Sequence, residues 1–260
     1  MLNEAMSTIF TTILNAFYEK FSQPVIDCVK DLVATSIVVY ENILTGPLKP
    51  IPSKSHYTFN LRDISKIFQG LCNVSHKHCN LPIHVVRLWI HENKRVFGDR
   101  LTDNKDRTYL DDMLLGLSLE KFKLDKKVIF NSERLVFGDF MEGVDLENKI
   151  YKQIEDLKVF QSKIEDYLED YNGSVKNAMH LVMFLDACDH VARITRIIRQ
   201  PLGNAFLLGV GGSGRQSLSR LATYCANYKM FQIEVVKGYQ FMNWREDVKK
   251  VLMQCGVENK

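Results

Sequence analysis

From Asn204 to Arg220 the chain reads Asn-Ala-Phe-Leu-Leu-Gly-Val-Gly-Gly-Ser-Gly-Arg-Gln-Ser-Leu-Ser-Arg: a short apolar run, a glycine-rich turn and a helix start. Strand, glycine turn and helix in that order restrict the surrounding domain to an α/β unit. A helix N-terminus presents unpaired backbone N–H groups and a partial positive charge, and glycines let an anion approach the backbone. The spacing Gly209-x-x-x-x-Gly214 is that of the phosphate loop G-x-x-x-x-G-K-[ST]. The next two positions depart from it, with Arg215 in place of the lysine and Gln216 in place of the metal-facing Ser or Thr.

The same glycines satisfy a second pattern. Gly209-x-Gly211-x-x-Gly214 is G-x-G-x-x-G, and Glu234 stands about 20 residues further on, where a dinucleotide-binding domain keeps the acid that holds the ribose. Two functions therefore stay open on spacing alone: a nucleoside-triphosphate loop, and an NAD-binding oxidoreductase domain. Arg215 leans toward the first, because its charge follows the loop directly where a β- or γ-phosphate would sit.

The chain around this loop divides into a helical part and an α/β part. Met6, Ile9, Phe10, Ile13, Leu14 and Phe17 form a helical stripe over 3–20. Pro24 opens a second stripe of Val25, Ile26, Val29, Leu32, Val33, Ile37 and Tyr40. Asn60 reads as the N-cap of a third helix, with Asp63 in its first turn. Arg62 lies in that turn too, where a cation is locally unfavourable, so a distant anion is its expected partner. A helix is expected over 82–97, connectors at 98–99, 102–104 and 138–140, short strands at 127–130 and 135–137, then helices over 148–171 and 177–199. Asn172-Gly173 should stop the former. Strands are expected at 205–208 and 230–236, joined through the loop helix by a right-handed crossover. The domain boundary falls near 118–125.

Composition narrows the classes. The chain has 260 residues, is 46% hydrophobic and 25% charged, and carries a net charge of +3. That is ordinary for a globular protein and too weakly basic to suggest nucleic acid or an anionic membrane surface. No apolar run is long enough for a membrane span. The scattered cysteines, Cys28, Cys72, Cys79, Cys188, Cys225 and Cys255, read as free thiols in a reducing compartment. Cys72, His76, His78, Cys79 and His84 fit no zinc spacing. His91-Glu92 begins H-E-x-x-H, but Arg95 stands at its last position, so a metalloprotease is excluded.

One resemblance covers nearly the whole chain. Arg199 to Ala222 closely resembles the phosphate loop of the fourth AAA+ module of axonemal dynein heavy chains, and Phe231-Gln-Ile-Glu-Val and Asn243-Trp-Arg-Glu-Asp247 continue it. Lys54 to Gly70 is similar to the small helical subdomain of the third module. The Arg215-Gln216 pair is typical of the fourth module in that family.

The resemblance implies an α/β fold with a large helical part. Residues 1–120 would be the helical small (lid) subdomain of the third AAA+ module. Residues 121–260 would be the N-terminal part of the fourth module, ending before the Walker B acid and holding an incomplete parallel sheet. It implies a piece of an ATP-driven, minus-end-directed microtubule motor of cilia and flagella, found in cytoplasm, cytoskeleton and axoneme. The nucleotide-binding residues would be Gly209, Val210, Gly211, Gly212, Ser213, Gly214, Arg215, Gln216 and Ser217. Arg62 matches the sensor-2 arginine, and Leu181 and Val182 would lie beside the adenine. The implied cofactor is ATP or ADP, with or without Mg2+. Implied partners are the other AAA+ modules of the chain, dynein intermediate and light chains, and microtubules, with no nucleic acid and no membrane. Arg215 keeps the lysine's charge but is longer and planar. Gln216 is a poor ligand for hard Mg2+, and Ser217 lies about 100° further round the helix. The expectation is a regulatory or structural site that binds nucleotide weakly or not at all in this segment alone and does not hydrolyse it, with no catalytic or metal-ligating residue; a purely structural ring segment with an empty loop stays open beside it.

Overall fold

A computed structural model describes residues 3–143 and 149–257. The chain forms two compact units, Met1–Gly143 with Asn148–Phe160, and Val144–Glu147 with Gln161–Lys260.

The first unit is a helical bundle with a small hairpin. Helix α1 (Asn3–Tyr18) buries Met6, Phe10, Leu14 and Tyr18, a stripe repeating every four residues. Phe10 stacks on Phe68 with ring centroids 4.0 Å apart, and Tyr18 Oη donates to the Leu71 carbonyl at 3.0 Å. The stripe that follows Pro24 is two helices, α2 (Gln23–Asp27) and α3 (Val29–Thr45), separated at Cys28. Helix α4 (Leu61–Leu71) opens on the expected cap. The Asn60 side chain accepts from the Arg62 N–H at 2.8 Å, and the Asp63 carboxylate accepts from the Asn60 N–H at 3.0 Å.

Helix α5 (Pro82–Val96) runs through the middle of this unit, with every residue from Val85 to Asn93 buried. A helix covered all round must satisfy its polar side chains internally. Trp89 Nε1 donates to Ser36 Oγ at 2.8 Å, and Asn93 Nδ2 to the Trp89 carbonyl at 2.8 Å. Arg87 donates through Nη2 to the Val128 carbonyl at 2.6 Å and through Nε to the Ile129 carbonyl at 3.0 Å.

Those carbonyls belong to α7 (Lys126–Ile129), a helical turn where the sequence reading expects a strand at 127–130. Arg87 holds the last carbonyls of that turn, a cation at a helix C-terminus. Before it lies α6 (Asn104–Phe122), in a polar stretch where the sequence shows no sustained period and predicts no helix. Its buried stripe is only Asp106, Leu110, Leu114 and Ser118, too narrow to stand out from its polar surroundings, and Asp103 caps its start by accepting from the Asp106 N–H at 2.9 Å. The strand expected at 135–137 is present as β1 (Val136–Gly138). It pairs antiparallel with β2 (Lys152–Ile154) in the register Val136↔Ile154, Phe137↔Gln153 and Gly138↔Lys152. The Leu135 carbonyl lies 3.0 Å from His91 Nδ1, and Tyr151 Oη donates to Glu92 at 3.0 Å, so α5 anchors the hairpin through its polar residues.

Pairing with β1 also corrects the helix expected from 148. Residues 152–154 are strand, and helix α8 spans Leu157–Ser174, passing through Asn172-Gly173 rather than stopping there. In the second unit Asn172 clasps the backbone of Met179, donating to its carbonyl at 3.0 Å and accepting from its N–H at 2.7 Å. Gln161 Nε2 donates to the Met183 carbonyl at 2.7 Å. Those two side chains hold 179–183 extended, so α9 (Leu185–Arg199) starts eight residues later than the sequence periodicity suggests.

Helix α9 packs on α10 (Arg215–Cys225); α9 buries Ala187, Cys188, Val191, Ala192, Ile194 and Thr195, and α10 buries Leu221, Ala222 and Cys225. Small side chains let the two backbones come close, and Thr195 Oγ1 lies 3.4 Å from the Ala222 carbonyl. Tyr167 and Tyr171 of α8 meet Tyr224 of α10 edge to face. The last helix, α11 (Phe241–Gly256), is tied to the preceding turn by Tyr239 Oη donating to Asp247 at 2.9 Å. The expected strands 205–208 and 230–236 are extended, but among the described residues they form no ladder. Their apolar side chains are in the open, Phe206 at 86% and Val235 at 78% exposure. Such residues suit a sheet covered on both faces, and parallel strands gain their stability only with neighbours on each side.

Candidate phosphate-binding loop

The loop lies in the second unit, between the extended run 205–208 and α10. Gly212 and Gly214 both adopt φ of 77°, a left-handed conformation that a side chain would strain. Ser213 N–H donates to the Val210 carbonyl at 3.3 Å and closes the turn. Gly214 is the N-cap of α10, and a glycine brings no side-chain acceptor for the first-turn N–H groups. The cap residue itself thus leaves these donors, with the positive end of the helix dipole, available to an anion. At Gly209 a Cβ would stand 2.7 Å from Ser213 Oγ and 3.4 Å from Arg215 Cδ and Nε. A side chain there would displace the Ser213 hydroxyl from its place against the loop.

Arg215 is bent back over the loop, and its Nη2 donates to the Val210 carbonyl at 3.2 Å. The structure thereby brings Gly209, Val210, Ser213 and Arg215 together. Gln216, in the metal-facing position, is exposed, and Ser217 is half-buried on the next face. The nearby Ser219 hydroxyl is engaged elsewhere, donating to the Arg215 carbonyl at 2.7 Å. No carboxylate occurs between Asn204 and Arg220. This donor set does not suit a hard divalent cation, which prefers hydroxyl, carboxylate and water oxygens.

Of the other candidates, Leu181 is half-buried and Val182 is 86% exposed, both in the extended segment that leads into α9. Arg62 belongs to the first unit, its side chain exposed at the start of α4. Glu234 lines a cleft of about 240 Å³ with Tyr171, Arg220, Tyr224 and Tyr228, a cleft that the loop glycines do not line. Sequence reasoning missed the link between α10 and the 230–236 segment, in which Arg220 Nη2 donates to Gln232 Oε1 at 2.8 Å. Their separation along the chain matches no helical or strand period, so no local pattern signals it.

Comparison with known proteins resolves the double meaning of the glycines. Residues 179–260 match the family described as "P-loop containing dynein motor region D4", and residues 32–131 match the AAA+ lid domain. The chain is therefore an AAA+ P-loop protein: a helical lid followed by an α/β module with an incomplete sheet. It is 47% identical over 234 residues to dynein axonemal heavy chain 1 of Mus musculus, an overlap of 90% of this chain and 5% of that protein. To dynein axonemal heavy chain 6 of Homo sapiens it is 40% identical over 259 residues, 98% of this chain and 6% of that one. Human dynein axonemal heavy chain 3 is 38% identical over 271 residues, 99% of this chain and again 6% of the relative. The chain belongs to the axonemal dynein heavy chain family, and it spans about a twentieth of the length of the relatives it matches. The dinucleotide reading of Gly209, Gly211, Gly214 and Glu234 is superseded, since the same glycines fall within the matched P-loop region.

Proposed function

We propose that this chain is a nucleotide-binding segment of an ATP-driven, minus-end-directed microtubule motor of cilia and flagella, acting in the axoneme, and that its own loop binds ATP or ADP in a regulatory or structural role. The observation that carries this reading is the pairing of an intact cradle with altered chemistry. Gly212 and Gly214 hold the turn in its left-handed form, and the cap residue Gly214 brings no side chain to the α10 N-terminus, while Arg215 and Gln216 replace the lysine and the hydroxyl of a hydrolytic loop.

In this reading residues 1–120 form the lid subdomain of the third module and 121–260 open the fourth. Gly209 to Ser217 cradle the phosphates, with Leu181 and Val182 against the base. Arg62 reaches the nucleotide of its own module as a sensor, and the exposure of its side chain leaves it free to do so. The partners are the neighbouring AAA+ modules, with microtubules and the intermediate and light chains reached through the whole heavy chain.

Titration of the purified chain with fluorescent ATP, ADP and NAD, alongside a steady-state hydrolysis assay, tests this. ATP or ADP should bind, NAD should not, and no turnover should appear. Hydrolysis that disappears in Gly214→Asp overturns the binding-only role. NAD binding without ATP or ADP binding overturns the nucleotide assignment itself.

A further inference from the structure

The altered loop residues carry a second step, which rests on the nucleotide-binding reading above. Loops of consensus sequence hold Mg2+ through the hydroxyl that follows the lysine, and the ion offsets phosphate charge. Here that position is Gln216, a neutral amide on a longer side chain, exposed to solvent. Ser217 is turned about 100° away, Ser219 is engaged with the Arg215 carbonyl, and 204–220 contains no carboxylate.

Positive charge is supplied differently. Arg215 is folded over the loop with Nη2 on the Val210 carbonyl at 3.2 Å and with Nε close beside Gly209. That bond takes one of the five N–H donors of a guanidinium, and the planar fork suits bidentate contact with phosphate oxygens. We infer that this loop takes a nucleoside diphosphate without a divalent metal, with Arg215 supplying the charge that Mg2+ supplies in a consensus loop. One guanidinium and a helix N-terminus worth about half a charge match a diphosphate better than a triphosphate, whose additional charge a metal would have to offset.

Titration of the whole chain with fluorescent ADP and ATP, in excess EDTA and in excess Mg2+, tests the inference. ADP affinity should agree within about two-fold between the two buffers, and ATP should bind more weakly than ADP in EDTA. Gln216→Thr restores the hydroxyl, and ADP binding should then tighten about five-fold or more on adding Mg2+. Arg215→Ala should weaken ADP binding in EDTA by about ten-fold or more. Thermal melting of each variant, with and without ADP, confirms folding and gives a second measure of binding. A ten-fold gain in wild-type ADP affinity on adding Mg2+ overturns the metal-free site while leaving nucleotide binding intact. A Gln216→Thr chain that gains no dependence on Mg2+ overturns the assignment of that metal independence to Gln216. Absence of ADP and ATP binding in both buffers overturns the nucleotide reading and the inference together.

Discussion

Arg100 Nη2 donates to Asp63 Oδ1 at 2.8 Å, and the carboxylate it grips is the one that caps the helix carrying Arg62. Arg100 also donates to the Thr58 carbonyl at 3.0 Å and lies over the Phe59 ring, 4.9 Å from its centroid. The start of α4 is thus held both by its own capping box and by a residue 37 positions away. Asp63 is buried, so removing it costs more than a cap. Asp63→Ala should destabilise the chain by about 3 kcal/mol, the scale of breaking a buried ion pair. Asn60→Ala, which removes only one cap bond, should cost about 1 kcal/mol. Urea unfolding midpoints of the two variants check the order, and equal losses would show that Arg100 contributes nothing.

Gly70 is pressed against Glu92. A Cβ at position 70 would stand 1.9 Å from Glu92 Oε2 and 2.2 Å from its Cδ, and Glu92 is fully buried with Tyr151 Oη on its other oxygen. Gly70→Ala should therefore destabilise by about 1–3 kcal/mol or more through overpacking, although alanine is the better helix former. Because the displaced carboxylate also holds Tyr151, Gly70→Ala and Tyr151→Phe should combine non-additively. A double-mutant cycle on thermal stability measures the coupling.

Lys54 pairs with Asp103 and with Asp106, the latter at 2.5 Å. Its hydrogen bonds to the two carboxylates push the Lys54 amine above the usual lysine range. The Lys54 hydrogen bond, helped by the Asp106 N–H, holds the Asp103 carboxyl below its ordinary 3.8. A depressed carboxyl stabilises the fold above its unfolded value and loses that contribution as pH falls through the folded one. A raised amine stabilises below its unfolded 10.5 and loses that contribution as pH climbs. The stability difference between wild type and Lys54→Met should be level between those limits and shrink beyond each. Added salt should reduce it, since the cluster is partly exposed.

The cysteines should react in order of burial. Burial pushes the Cys79 thiol up to about 12, and the Cys72 and Cys188 thiols up to about 11. Cys255 is exposed. Alkylation proceeds through the thiolate, so at mildly alkaline pH Cys255 should be modified first, and Cys79 and Cys188 only after unfolding. Peptide mass spectrometry over a time course reads the order directly.

What could be read along the chain was local. The four-residue stripe of α1, the Pro24 start, the Asn60–Asp63 cap and the glycine spacing of the loop are each set by neighbours within about one helical turn. Where the determinant lay far off in the chain, the sequence misled. Asn172 and Gln161 hold Met179 and Met183 extended, so the apolar residues before Leu185 look helical but are not. Arg87 reaches 41 and 42 positions to the carbonyls of α7 and favours a helical turn over a strand. Helix α6 was hidden for the opposite reason: its buried stripe is so narrow that periodicity could not distinguish it from a polar connector.

The sequence by itself determined the loop and its altered chemistry: glycines where the backbone must turn left-handed, Arg215 and Gln216 where a lysine and a hydroxyl stand in a hydrolytic loop, and the family to which the chain belongs. Only the tertiary structure decided how those residues meet. It folded Arg215 back onto Val210, turned residues 152–154 into a strand opposite 136–138, and set Arg100 against Asp63. The physical reason is one of range. Backbone propensity and capping act over a few residues, whereas buried charges and hydrogen-bonding groups must find partners wherever packing brings them, and those partners have no fixed spacing along the chain.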